Sequence, residues 1–229
     1  MFKGFTDETF EFFMAIRFNN NRDFFHANHD WYVRAVRQPC LELAEDLGGF
    51  IHEHFSPEMD TRPNRVVSHI NRDLRFSNDK SPYRDYMWLT FRKPSVIRSL
   101  ELEVYFAIET DGASWGMGIY GENKPLMNGF RRKLRKDPTS FLRCLDNTDG
   151  LSQWINAYKR MQVPEEIPAE LENWYKARSF YLDTRFTDFQ VIKSAALTGE
   201  MEASLQKLTP LYRYFQNIIP EDDTINEKE

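Results

Sequence analysis

Residues Asn71 to Arg84 read Asn-Arg-Asp-Leu-Arg-Phe-Ser-Asn-Asp-Lys-Ser-Pro-Tyr-Arg. Four cations, Arg72, Arg75, Lys80 and Arg84, are interleaved with two acids, Asp73 and Asp79, and two rings, Phe76 and Tyr83. Charge leaves water only when it is paired and hydrogen-bonded, so rings fixed among opposite charges imply a structured polar site rather than a solvated loop. A guanidinium offers a planar fork of donors to an oxyanion, and an ammonium adds a point charge. The chemistry such a segment could do is recognition of phosphate or carboxylate. The competing reading is an ion-pair network that ties a long loop to a sheet. Four cations against two acids leave cations in need of a further acid or a ligand. Hydrolysis or group transfer would need Asp73 or Asp79 as base. A carboxylate flanked by arginines has a lowered pKa and serves poorly near neutrality, which favours binding over chemistry.

Other motifs are weaker. Ser77-Asn78-Asp79-Lys80 fits S-x-x-K, but the S-D-N and K-T-G elements that should accompany an acylating serine do not follow. Gly116-Met117-Gly118-Ile119-Tyr120-Gly121 fits G-x-G-x-x-G. A dinucleotide loop must leave a strand and open a helix at once, whereas here strand-like alternation runs through Tyr120 and the next helix waits until about Pro125. No cofactor is expected. On the sheet face shared with Tyr120, the two glycines present no side chain, so a ligand, another backbone or a packed helix can come close. His26 and His29 are three apart, and His52 and His54 point to different helix faces, so no metal site is expected. Arg131-Arg132-Lys133-Leu134-Arg135-Lys136 is the one basic run and reads as a solvated helix face with only Phe130 and Leu134 inward; nucleic-acid binding there is the less favoured alternative.

These residues need elements to position them. Thr6 is a good N-cap, with Asp7 and Glu8 at the positive end of a helix whose Phe10, Phe13 and Met14 share a face. Asn19, Asn20 and Asn21 stop it. A second helical pattern runs from about Asp23 to His54, interrupted at Pro39. Residues 65–71 read as a strand. Residues 86–92, 100–109 and 113–120 alternate with period two, which predicts a half-buried antiparallel meander. Pro125 and Pro138 fit first helical turns. Residues 168–178 read as helix, 179–183 as a short strand and 200–218 as a closing helix; 151–160 are ambiguous. The fold class expected is α+β, an antiparallel β-meander packed by N-terminal and C-terminal helices. It is expected to form one domain over 1–220 followed by an acidic, disordered tail, 221–229.

Composition bounds the rest. The chain has 229 residues, net charge -5 and 15% aromatic residues, which implies a core built on rings and argues against a basic nucleic-acid module. No apolar run approaches the ~20 residues of a membrane helix, and no secretory signal is read at the N-terminus. Cys40 and Cys144 read as reduced thiols of a cytoplasmic protein.

A family resemblance emerges from these residues. Gly4-Phe5, Asn20-x-Arg22-x-Phe24-Phe25, Tyr32, Pro39, the block Arg72-Asp73-x-Arg75-Phe76-Ser77-x-Asp79-Lys80-Ser81-Pro82-Tyr83, and Gly116-x-Gly118-x-Tyr120 resemble domain of unknown function family 2461. The resemblance runs to about Phe215. It implies a bacterial-type cytoplasmic α+β domain and carries no activity. The functional expectation is therefore a small anionic ligand. Asn20, Arg22, Arg72, Arg75, Lys80 and Arg84 are expected to converge near Tyr120, with Asp73, Asp79 and Tyr83 in the same site and Lys176 and Arg178 adding to it. Oligomeric state is not legible.

Overall fold

The computed structural model describes residues 1–75, 79–95, 97 and 100–220. Phe76, Ser77 and Asn78 of the basic segment, and the expected acidic tail, lie outside the described residues.

In chain order the elements are α1 (Asp7–Phe18), α2 (Arg22–Ala27), α3 (His29–Tyr32), a π-helical turn (Val33–Arg37), α4 (Gln38–His54), α5 (Pro63–Val66), β1 (Met87–Phe91), β2 (Glu103–Glu109) and β3 (Gly112–Ile119). Then follow α6 (Lys124–Lys136), α7 (Pro138–Leu145), β4 (Ser152–Ala157), a 3₁₀ turn (Ala169–Leu171), α8 (Glu172–Tyr175), β5 (Ala177–Phe186), α9 (Phe189–Ile192), α10 (Ala196–Gln206) and α11 (Thr209–Gln216). The strands form one antiparallel sheet in the order β1-β2-β3-β5-β4, and the fold is α+β.

The chain divides into two compact units. The first holds Met1–Phe91, Tyr105–Trp115 and Arg185–Ala203; the second holds Arg92–Val104, Gly116–Thr184 and Ser204–Glu229.

In the first unit α1 buries Thr9, Phe12, Phe13 and Ile16, while Met14 is exposed and Phe10 packs on Phe189 at 5.0 Å. The buried stripe is thus displaced from the expected Phe10-Phe13-Met14 face. Both sets satisfy helical spacing, and contacts distant in sequence decide between them. Thr9 supplies one: its hydroxyl donates to the Ala35 carbonyl at 2.6 Å. Asn21 ends the asparagine run by capping α2, accepting from the Phe24 N–H at 2.9 Å. The interruption expected at Pro39 is met by the π-helical turn just before α4, closed by the Gln38 N–H donating to the Val33 carbonyl. Proline has no N–H to give, and the wider turn reorganises the ladder ahead of it. Beyond it Cys40, Leu43, Ala44, Leu47 and Ile51 are buried along α4. Rings join the core: Phe5 stacks on Phe106 at 5.9 Å, and Trp115 lies 5.2 Å from Phe186.

The expected strand at 65–71 is instead the end of α5 followed by extended chain. Two isolated antiparallel bridges, Val67 to Leu89 and Asn71 to Tyr83, join this chain to residues leading into β1 and to β1 itself. Pro63 at the start of α5 explains the difference, because it preorganises a helical turn. Along β1, Met87, Leu89 and Phe91 are buried, as the alternation predicts.

In the second unit Phe130, Phe141, Trp174, Phe180 and Phe215 form a ring cluster, with successive centroids 4.7 to 5.0 Å apart. Asn123 caps α6 by accepting from the Leu126 N–H, and Pro125 and Pro138 stand in first turns as expected. The ambiguous segment 151–160 holds β4, paired antiparallel to β5 with Trp154 opposite Tyr181. The helix expected at 168–178 is one 3₁₀ turn and one α turn, because β5 starts at Ala177 and runs well beyond the expected 179–183. The expected closing helix at 200–218 is two helices, α10 and α11, with Pro210 in the first turn of the second.

Candidate functional site

In the first unit Ile70–Arg72 and Pro82–Arg84 pair antiparallel as a short ribbon around the Asn71–Tyr83 bridge. The Arg72 N–H donates to the Pro82 carbonyl at 2.9 Å, and the Arg84 N–H to the Ile70 carbonyl at 2.8 Å. Asn20 grips the returning strand at Tyr83, through both main-chain groups of that residue. The Tyr83 ring is buried and stacks on Phe25 with centroids 4.2 Å apart.

Arg72 spends its fork inside the ribbon. Its Nε donates to the Tyr83 carbonyl at 2.8 Å, Nη1 donates to Asp79, and Nη2 lies 3.4 Å from Asp85 Oδ1. Asp85 also accepts from Arg17 Nε at 2.5 Å, and Arg17 Nη2 donates to Thr110 Oγ1 at 3.2 Å. This makes a line of alternating charge, Arg17–Asp85–Arg72–Asp79, which is balanced within itself. The further acid that the charge count called for is Asp85, immediately beyond the segment. Arg75 forms a local pair, with Nε and Nη2 on the two oxygens of Asp73 at 3.0 and 2.7 Å. That hydrogen bonding holds the Asp73 carboxyl down at about 2. Asp79 is also lowered, chiefly by the hydrogen bond from Ser81. Neither is suited to accept a proton near neutrality.

Two cations of the segment stand differently. Lys80 Nζ donates to the Leu74 carbonyl at 3.0 Å. Arg84 donates through Nη1 to the His69 carbonyl, and its guanidinium lies 4.4 Å from the Trp88 ring centroid. Trp88 in turn lies 5.4 Å from Tyr86. Residues 84, 86 and 88 alternate onto one face of the chain, and all three are half-buried. Among the described residues no carboxylate comes within ion-pair distance of Lys80 or Arg84. Burial lowers the Arg84 pKa and the charge of Arg72 works in the same direction, while Tyr86 and the Asp73 carboxylate offset part of the shift. Arg22 is exposed in the first turn of α2.

The remaining expected site residues belong to the second unit. Tyr120 is 74% exposed just after β3. Lys176 pairs with Glu172 at 3.4 Å, one helical turn away. Arg178 donates through Nε and Nη2 to Glu122 Oε2 at 3.1 and 2.8 Å, and Glu122 also accepts from the Tyr158 hydroxyl. The Tyr158 ring takes two guanidinium groups, Arg178 at 5.2 Å and Arg131 at 5.5 Å. The hydrogen bond from Tyr158 lowers the Glu122 pKa first, and Arg178 adds to it. Sequence reasoning did not find this cluster; the one signal for it was an acid, Glu122, following the glycine-rich strand.

The basic run departs from its expected solvated face. Arg131 is buried, donating through Nε to the Tyr175 carbonyl at 2.8 Å and through Nη2 to the Ala177 carbonyl at 2.6 Å. Lys133 lies 3.8 Å from the Tyr214 ring centroid and donates to the Tyr214 carbonyl. Arg135 pairs with Glu166. A planar fork satisfies two carbonyls at once, which a helix can aim inward from among charged neighbours.

The glycines of β3 are explained by neighbouring backbone. A Cβ at Gly116 would stand 2.0 Å from the Leu182 carbonyl oxygen, and one at Gly118 would stand 2.1 Å from that of Phe180. Of the occupants open to them, ligand, backbone or helix, the strand β5 fills the space. β3 runs to Ile119 and α6 starts at Lys124, so the glycine run does not open a helix. Both cysteines are free, with Cys40 buried. Among the described residues no group of three His, Cys, Asp or Glu side chains is placed to hold a metal ion, and no helix is long and apolar enough to cross a membrane.

A family model described as Conserved hypothetical protein (DUF2461) matches residues 8–214. The chain belongs to this family. The match spans the whole ribbon, both glycines of β3 and the Glu122–Tyr158–Arg178 cluster. A search of curated proteins finds no match. The family is defined by its sequence and brings no activity with it, so function has to be argued from the side chains.

Proposed function

We propose that this protein binds a small phosphate- or carboxylate-bearing ligand on the ribbon, against Arg84. The observation behind this reading is a half-buried guanidinium without a carboxylate at ion-pair distance among the described residues. It is held in place by the His69 carbonyl and the Trp88 ring. Desolvation and a second guanidinium both oppose its charge, and an oxyanion relieves both. Arg72 and Arg75 pair with Asp79, Asp85 and Asp73 in this arrangement, so their part is to shape the ribbon. Lys80 is the second cation available to the ligand.

The test is thermal unfolding with inorganic phosphate or citrate, added at constant ionic strength. A ligand at a hundred times its Kd stabilises by about 2.7 kcal/mol, roughly 5–10 °C for a chain of this size. The rise is expected in wild type, reduced in Arg84→Lys and lost in Arg84→Ala. An equal rise in wild type and Arg84→Ala, or no rise in either, overturns the proposal.

A second reading is favoured by the balanced line Arg17–Asp85–Arg72–Asp79: the segment is a folding device for an interaction domain. A double-mutant cycle on Arg72 and Asp85 addresses it. Coupling of roughly 0.5–3 kcal/mol, with no anion effect on wild type, supports the scaffold reading over the ligand site.

A further inference from the structure

The two outer strands of the sheet are finished differently. β1 is covered on its outer side by the ribbon chain, through the Val67–Leu89 bridge and the Ser68 N–H donating to the Trp88 carbonyl at 2.9 Å. β4 pairs with β5 along one side only, and among the described residues the main-chain groups of its other side have no partner. Folded proteins protect such an edge with lysine, proline, a bulge or a covering segment. β4 reads Ser-Gln-Trp-Ile-Asn-Ala, with neither charge nor proline; its one register irregularity, between Asn156 and Ala157, lies at its end, and its Trp154 is 53% exposed.

The flanks of the strand carry opposite charge. Asp146 and Asp149 lead in; Lys159 and Arg160 lead out. All four are exposed, and none has an ion-pair partner among the described residues. An acidic start and a basic end are complementary when a strand meets a second copy of itself antiparallel.

We infer that β4 is the pairing edge of a homodimer in which two copies join antiparallel into one continuous sheet. A two-fold axis normal to a sheet keeps each residue on its own face, so facing residues must differ by an even number of positions. With the axis at Trp154, the two Trp154 rings become a cross-strand pair, and the turn holding Asp149 ahead of each β4 comes beside the turn holding Lys159 after the other. Aromatic and opposite-charge pairs are the cross-strand contacts that stabilise antiparallel pairing.

Sedimentation velocity of the full chain from about 1 to 100 μM tests this, a range that populates a dimer of micromolar Kd. A dimer is expected for wild type. Trp154→Lys should be monomeric with unchanged circular dichroism, because that side chain is mostly solvated in the single chain. Asp149→Lys should weaken the dimer at least tenfold, and adding Lys159→Asp to it should restore association. Trp154→Cys should form an intermolecular disulfide under mild oxidation. A wild-type monomer at the highest concentration, or a dimer indifferent to Trp154→Lys, overturns the inference.

Discussion

Asn20 holds Tyr83 by its main chain from both sides: the Tyr83 N–H donates to Asn20 Oδ1 at 3.0 Å, and Asn20 Nδ2 donates to the Tyr83 carbonyl at 2.9 Å. The side chain thereby imitates one rung of a β-ladder. It joins the loop between α1 and α2 to a strand sixty-three positions along. The same carbonyl accepts from Arg72 Nε at 2.8 Å, so one acceptor organises both the amide and the guanidinium.

Asn20→Ala removes two part-buried hydrogen bonds and should destabilise by about 1–3 kcal/mol. Asn20→Asp keeps the acceptor but turns a carboxylate oxygen toward the Tyr83 carbonyl, so it should be no more stable than Asn20→Ala. Urea unfolding midpoints decide the point. An Asn20→Asp variant as stable as wild type would remove the ladder-like role.

Gly118→Ala and Gly49→Ala should move stability in opposite directions. At Gly118 a Cβ would sit 2.1 Å from the Phe180 carbonyl oxygen, so two paired strands must part; the expected loss is about 2–4 kcal/mol. At Gly49, exposed inside α4, a Cβ meets nothing within 4 Å, so the helix should gain about 0.5–1 kcal/mol. Thermal melts of the two variants against wild type check both signs.

Cys40 is wholly buried, and its thiol is pushed up to about 12. The folded pKa lies above the unfolded one, so the stabilisation is complete below the ordinary thiol value. It is lost as pH rises from there toward the folded value. Wild type should therefore lose stability faster than Cys40→Ala between about pH 8.5 and pH 11. In native protein at about pH 8, a disulfide reagent should label the partly exposed Cys144 first, slowed by burial that raises its thiol, and Cys40 only on unfolding. Rapid labelling of both thiols would contradict the burial of Cys40.

The residues that bear charge in the ribbon were legible from sequence, because their types and spacing already imply pairing. Their partners were not. Asp85 lies just past the segment, but its other ligand, Arg17, is sixty-eight positions away. Arg178 and Glu122 are fifty-six apart, and nothing local joins them. The buried Arg131 was hidden among four charged neighbours, Arg132, Lys133, Arg135 and Lys136, since a basic run looks alike whether or not one member turns inward.

Taken alone, the sequence determined what local rules determine: the period-two strands, the proline-marked helix starts, the ring-built core and the family. Those follow from backbone stereochemistry and from which side chains leave water. Tertiary structure decided which face of α1 is buried, that β5 fills the space over Gly116 and Gly118, and that Asp85 rather than Asp73 completes Arg72. It also decided that Arg84 stands on Trp88 with no carboxylate at ion-pair distance among the described residues. Such outcomes depend on distances between groups far apart in the chain, and Coulombic and packing energies follow distance in space, not position in sequence.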